Sequence, residues 1–307
     1  LIHNNSLMDV IGIYLSRKKR YLSGVPDKQL AERQWQLLNN TFELDSVSMV
    51  VPRNEDLNPH ARLSHVLAEM SLRPGGIGYF QAKYPLDKAT TAMLAPSETV
   101  KYKAQKIHRC LKENCDNKLF RFGSYQFMHE LHQDGGIFFQ SASNYKHSDN
   151  LSVKDDELQL QFIHYLSEKE QAEISGAKCF KYTVSSPDFL TLCFTDAINY
   201  RMIADWNAEA VVIIHEPDEF YNRLRVCTKQ FQSNHTLLKR GSVRYIDPYF
   251  DGKTLIESEH LPFCKDYKFQ YQQEYRFVIC NEKQFSEQER KIYIGSLTDI
   301  ATLVDLR

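Results

Sequence analysis

The chain has 307 residues with 38 Lys/Arg against 39 Asp/Glu, a formal net charge of −1, which excludes a strong global field for nucleic acid or anionic lipid. Hydrophobic residues make up 42% and charged residues 25%, which excludes wholesale disorder and suits one large domain or two of ordinary size. Seven cysteines without a CxxC pair read as reduced thiols, not as a disulfide framework or a zinc site, so no metal is expected.

The front third reads as helical and slightly basic. "VPDKQLAERQWQLLNN" places Pro26 at a helix start and repeats Leu30, Trp35 and Leu37–Leu38 on one face. "NPHARLSHVLAEMSLRPGG" has Asn58 as N-cap, an apolar stripe of Leu63, Val66, Leu67 and Met70, and a stop at Pro74-Gly75-Gly76. "RPGGIGYF" lacks the Lys-Ser/Thr of a phosphate loop and is read as a turn. "PSETVKYKAQKIHRCLKENC" predicts a third helix with Val100, Ala104, Ile107 and Leu111 at helical spacing. The texture changes near residue 117, so a helical N-terminal domain over 1–116, regulatory or target-recognising, precedes a second domain over 117–307.

In that second part short β-rich runs alternate with helices. "KLFRFGS" predicts a strand, "YQFMHELHQ" a helix and "GIFFQSAS" a strand. "DDELQLQFIHYLSEKEQAEI" is read as a helix through Leu158, Phe162 and Leu166. "FLTLCFTDA" is a strand, "INYRMIADWN" a short helix, and "EAVVIIHEP" a continuously apolar strand. "RGSVRYID", "YQQEYRFVICN" and "KIYIGS" complete the set. The sum is an α+β class. Within "YQQEYRFVIC", a two-residue period puts Gln272, Glu274 and Arg276 on one polar face. His129 and His132 of "MHELH" are three apart and fail the zinc-protease spacing, and "KDDE" over 154–157 offers carboxylates for a metal or substrate, with capping of the next helix as its simpler use.

Taken one at a time, each polar residue reads as solvent-facing. An Arg between two Phe residues is what any half-buried strand shows, and Ser141 and Ser143 suit a strand end. Three segments in one order change that weighting: "FRFGS" with Arg121, "FFQSAS" with Ser141 and Ser143, and "QQEYRF" with Gln272 and Glu274. In this order the sequence resembles the ADP-ribosyltransferase superfamily, especially its Arg–Ser–Glu toxin branch, with Ala142 where Thr is the commoner choice. The stretch from "LCFTDAINY" to "YQQEYRFVI" also resembles a large group of uncharacterised bacterial proteins, many associated with phage defence. The resemblance covers roughly residues 118–300.

The resemblance implies a mainly antiparallel split-sheet core and NAD as co-substrate, with ADP-ribose passed to a macromolecular acceptor, protein or nucleic acid. A toxin-like or phage-defence setting implies an antitoxin partner or a phage-derived trigger. Cleaving the nicotinamide–ribose bond passes through an oxocarbenium-like state, which a carboxylate beside the ribose stabilises. The roles then implied are Glu274 as that carboxylate, Ser141 orienting it, and Gln272 placing the accepting nucleophile. Arg121 would hold a phosphate through its planar fork. Ser143, Tyr145, Thr195 and Tyr200 are the further cofactor-binding candidates, with Tyr145 stacking on nicotinamide. Alternatives are an NAD glycohydrolase using water, or an inactive NAD- or ligand-binding module of the same fold. With no apolar run near the roughly 20 residues of a membrane helix and no signal-peptide pattern, a cytoplasmic protein with no membrane partner is expected.

Overall fold

The computed structural model describes residues 12, 14, 20–45, 47, 49–53, 58–86, 95–111, 117–150, 152, 154–166, 178–231, 238–249, 256–280 and 290–307. At the front, α1 (Asp27–Thr41) follows Pro26, whose ring fixes φ at −58° and leads directly into the helix. The short antiparallel pair β1 (Phe42–Leu44) and β2 (Val50–Pro52) comes next, then α2 (Asn58–Leu72). Gly75 and Gly76 adopt positive φ and make the expected turn, but the chain re-enters a helix at once as α3 (Gly76–Lys83). Next among the described residues is α4 (Glu98–Leu111), which buries Ala104, Ile107 and Leu111 as its spacing requires.

The second part opens with β3 (Leu119–Gly123), α5 (Tyr125–Asp134), β4 (Gly136–Phe138) and β5 (Gln140–Ser141). "GIFFQSAS" is therefore two short pieces, and a 3-10 turn over Ala142–His147 follows them. Next come β6 (Gln159–Tyr165), β7 (Cys179–Ser185), β8 (Phe189–Thr195), α6 (Tyr200–Asp205), β9 (Ala210–Ile214) and α7 (Pro217–Cys227). The chain ends through β10 (Leu238–Ser242), β11 (Arg244–Ile246), β12 (Cys264–Asp266), β13 (Glu274–Cys280), β14 (Lys291–Tyr293) and β15 (Ala301–Asp305). This is a mixed α+β architecture.

One expected helix is a strand. β6 occupies part of "DDELQLQFIHYLSEKEQAEI" and pairs antiparallel with β7, Leu160 facing Val184 and Phe162 facing Tyr182. The alternation Gln159, Leu160, Gln161, Phe162 has a two-residue period that overrides the four-residue spacing of Leu158, Phe162 and Leu166, and Phe162 stacks on Tyr182 at 4.6 Å. The end of that expected helix, 167–174, lies outside the described residues.

The main sheet runs β10–β13–β8–β3–β9–β15, every pair antiparallel, with β5 also paired to β8. Helices cover both faces. On one, Leu192, Phe194, Val212 and Phe277 pack with Met128 and Leu131 of α5 and Phe220 and Leu224 of α7. On the other, Phe120, Phe122, Val211 and Ile213 pack with Ala104 and Ile107 of α4 and Met202 and Ile203 of α6. Being covered on both sides is why β9 reads as an unbroken apolar run; all five of its residues are buried.

Hydrophobic cores cross the boundary expected near residue 116. α4 belongs to the sheet's own core, and Leu30, Leu37, Val66 and Phe80 share a cluster with Tyr165 and Tyr267. Arg33 of α1 and Arg62 of α2 both pair with the fully buried Asp247, the latter at 2.6 Å. Asn40 of α1 donates to the Tyr267 carbonyl at 2.8 Å and accepts from the Tyr271 N–H at 2.9 Å. That clamp holds the 3-10 turn Tyr267–Gln272, the segment that leads into β13. Among the described residues, no helix is long and apolar enough to cross a membrane.

Candidate active site

The site begins with a fork in the sheet. β13 pairs along the whole of β8, Glu274 with Thr195 through Cys280 with Phe189. The other edge of β8 therefore takes both β5, at Leu190 and Thr191, and β3, at Thr195. Between them Leu192–Phe194 has no strand partner on that edge among the described residues, over about 13 Å at 3.3–3.4 Å per residue. A buried carbonyl there needs a donor. Arg121 supplies it: its guanidinium donates to the Cys193 carbonyl and lies over the Phe194 ring at 5.4 Å from the centroid.

Beside the fork is a cavity of about 190 Å³ whose lining includes Arg121, Gln140, Tyr145, Lys265, Gln272 and Glu274. Phe122, Phe138, Tyr145 and Trp206 give it aromatic walls. Burial of Arg121 disfavours its charged form and lowers its pKa, and no carboxylate among the described residues lies within ion-pair distance of it. Burial also pushes up the Tyr145 phenol and the Cys193 thiol, so both stay protonated at neutral pH.

Glu274 is the first residue of β13 and is buried. Gln273 before it stands at φ +41°, which turns the chain from the 3-10 segment into the strand. The strand face expected from "YQQEYRF" thus begins only at Glu274, and Gln272 reaches the same cavity from the turn instead. Glu274 Oε1 accepts from Lys265 Nζ at 2.5 Å, and Oε2 accepts from Arg276 Nε at 2.8 Å. Glu157 completes a buried quartet, 3.2 Å from Lys265 and 2.8 Å from Arg276. Burial alone would raise the Glu274 pKa, but Arg276 and Lys265 outweigh it and take it down to about 2. The carboxylate is ionised at every physiological pH.

Gln272 is fixed as firmly. Its side-chain amide donates to the Ser152 carbonyl at 2.6 Å, and its Oε1 accepts from Lys265 at 3.1 Å. Lys265 thus touches Glu157, Gln272 and Glu274, one contact for each N–H of its ammonium.

The structure brings Arg121, Tyr145, Gln272 and Glu274 to one cavity and leaves four expected residues away from its lining. Ser141 stands opposite Leu190, five residues along β8 from the level of Glu274, or roughly 17 Å. An odd separation also puts the two on opposite faces of the sheet. The expected bond from Ser141 to Glu274 is replaced by one to Asp188 at 2.5 Å, and Ser143 joins the same carboxylate at 2.7 Å. Gln140, one residue earlier, has the right parity and lines the cavity. Thr195 pairs with Glu274 through the backbone, but its hydroxyl donates to the Ala197 carbonyl at 2.7 Å. Tyr200 is a buried member of the helix-covered core.

Lys265 and Gln140 are not assigned to a site from the sequence, and Glu157 is weighed there only within "KDDE", as the less simple use of that run. A lysine inside the apolar run "LPFCKDYKF" was the one available signal for Lys265. Glu257, Glu259 and His260 bring potential metal-ligand atoms within 4.8 Å of one another, but they are exposed and do not line the cavity. No protein-family model, curated protein or solved structure matches the chain.

Proposed function

We propose that the chain is an NAD-dependent ADP-ribosyltransferase whose forked antiparallel sheet is the split core of that superfamily. One observation carries the reading: an ionised, buried carboxylate and a guanidinium with no carboxylate partner among the described residues face a single aromatic-walled cavity where the sheet divides. In the reaction the ribose C1′–nicotinamide bond breaks and nicotinamide leaves with the electron pair. The acceptor nucleophile then bonds to C1′ and gives up its proton. Glu274 opposes the positive charge that develops on the ribose, and preorganised electrostatics of this kind supplies much of the rate enhancement in many enzymes. Arg121 has N–H groups beyond the one given to Cys193 with which to bind a phosphate. Tyr145, Phe138 and Trp206 offer faces for the nicotinamide ring. The macromolecular acceptor and the toxin-like or defence-linked setting rest on the sequence resemblance.

A second reading has one observation in its favour. Both oxygens of Glu274 are held by Lys265 and Arg276, which suits an NAD-binding module or a slow glycohydrolase as well as a transferase. Incubation with NAD labelled on the adenylate, in a cell lysate, separates the three. Label on macromolecules is the expected result. Free ADP-ribose alone indicates hydrolysis, and intact NAD rejects catalysis. Glu274→Gln should abolish label transfer in protein that circular dichroism shows to be folded, and full activity in that variant rejects the site.

A further inference from the structure

A second cavity, of about 330 Å³, adjoins the first; its lining includes Gln36, Asp155, Gln161, Tyr249 and Asp266. The two linings share only Glu157 and Lys265. The smaller cavity is below the roughly 300–1,000 Å³ of usual ligand sites, whereas the pair together falls within that range. Those two shared residues form an ion pair, Lys265–Glu157 at 3.2 Å.

Of the quartet's two cations, Lys265 is the one better able to move. Arg276 is pinned by Glu157, by Glu274 and by the Pro262 carbonyl at 2.9 Å, and its planar fork fits that set rigidly. Lys265 is a point charge on a flexible four-carbon stem. If it withdraws from Glu274, Arg276 still holds Oε2 and keeps the carboxylate ionised, while Oε1 becomes free to accept from a ribose hydroxyl. Charge places an anion in the smaller cavity: the larger one is lined by Asp155, Asp156 and Asp266, whereas the smaller has Arg121 and Lys265 as its lining cations, and no carboxylate among the described residues pairs with Arg121.

We infer that Lys265 is a displaceable latch: the pyrophosphate of a dinucleotide draws it off Glu274, freeing that carboxylate and joining the two cavities. The dinucleotide part of this inference rests on the functional reading above; the capture of a diphosphate anion by Lys265 stands apart from it. Lys265 is thus a substrate-binding residue whose departure releases Glu274.

The test is calorimetric titration of the full chain with inorganic pyrophosphate, followed by NAD kinetics. Two variants are compared: Lys265→Met, and Lys265→Met with Glu157→Gln, which removes one charge of each sign and keeps the quartet balanced if the single variant fails to fold. Wild type is expected to bind pyrophosphate and each folded variant to bind it at least tenfold more weakly. In turnover, KM for NAD should rise at least tenfold with kcat kept within about threefold, whereas a purely structural lysine would lower kcat and leave KM unmoved. Absence of pyrophosphate binding by wild type, or affinity within twofold of it in the balanced variant, overturns the latch. Pyrophosphate binding that depends on Lys265, in a chain that neither binds nor cleaves NAD, upholds the latch and rejects the NAD reading instead.

Discussion

Replacing Arg276 by Met is the sharpest structural test of the quartet. Arg276 is 1% exposed and pairs with Glu157 and Glu274, so its loss leaves two buried carboxylates sharing one lysine. Breaking a buried pair from one side costs about 3–5 kcal/mol, a large part of a typical 5–15 kcal/mol total. The titration of Glu274 gives a similar figure. A depression from 4.5 to about 2, at about 1.36 kcal/mol per unit, is on the order of 3 kcal/mol. Because the folded pKa lies below the unfolded one, that stability is present above pH 4.5 and is lost as pH falls from there towards about 2. Urea unfolding followed by tryptophan fluorescence, repeated through this pH window, measures both quantities. The single variant should lose several kcal/mol at neutral pH and show a flatter acid limb than wild type. Arg276→Met combined with Glu157→Gln should recover much of the loss by restoring balance. A loss below about 1 kcal/mol, the scale of an exposed pair, would refute the claim that these four charges are interdependent.

Two further outcomes test the fork and the turns. Arg121→Met strands the Cys193 carbonyl at the fork, so an unfolding measurement should show a loss of about 1–3 kcal/mol, together with loss of pyrophosphate binding; an unchanged melting curve would mean the carbonyl finds another donor. Gly135 caps α5 at φ +66°, and a Cβ there would meet the Gly295 carbonyl oxygen at 2.2 Å, so Gly135→Ala should cost at least about 2 kcal/mol. Gly78, inside α3 with nothing within 4 Å of its would-be Cβ, is the control: Gly78→Ala should stabilise by roughly 0.5–1 kcal/mol.

What was legible in the sequence was local. Pro26, the helical stripe over Ala104–Leu111 and the apolar run of β9 state their structures through spacing alone, and all three form. β6 was not legible, because "LQLQFIHY" satisfies a two-residue and a four-residue period at once and only its partner β7 decides between them. The site was half legible for the same reason. Arg121, Gln272 and Glu274 were singled out and do share a cavity. The displacement of Ser141 depends on strand register, which fixes both its distance along β8 and its face, and register is a property of pairing rather than of composition. Lys265 and Glu157 acquire their meaning from each other across more than a hundred residues of chain, and no periodicity encodes such a pair.

The fork and the quartet belong to one physical problem. Opening a sheet creates space for a ligand but strands backbone groups, and the chain answers with Arg121 at the Cys193 carbonyl. It also leaves a buried carboxylate at the start of β13, which needs cations to stay ionised. Those cations come from two places: Arg276 from the same strand, and Lys265 from β12, which belongs to the small β11–β12 pair outside the main sheet. Asn40 of α1 sets the turn between Lys265 and Glu274 by bonding at Tyr267 and Tyr271. Helix α1 therefore bears on the cavity without lining it, because it holds the turn that joins the lysine's strand to the glutamate's. A shift of α1 against that turn would move Lys265 and Glu274 relative to each other before it disturbed any strand of the main sheet.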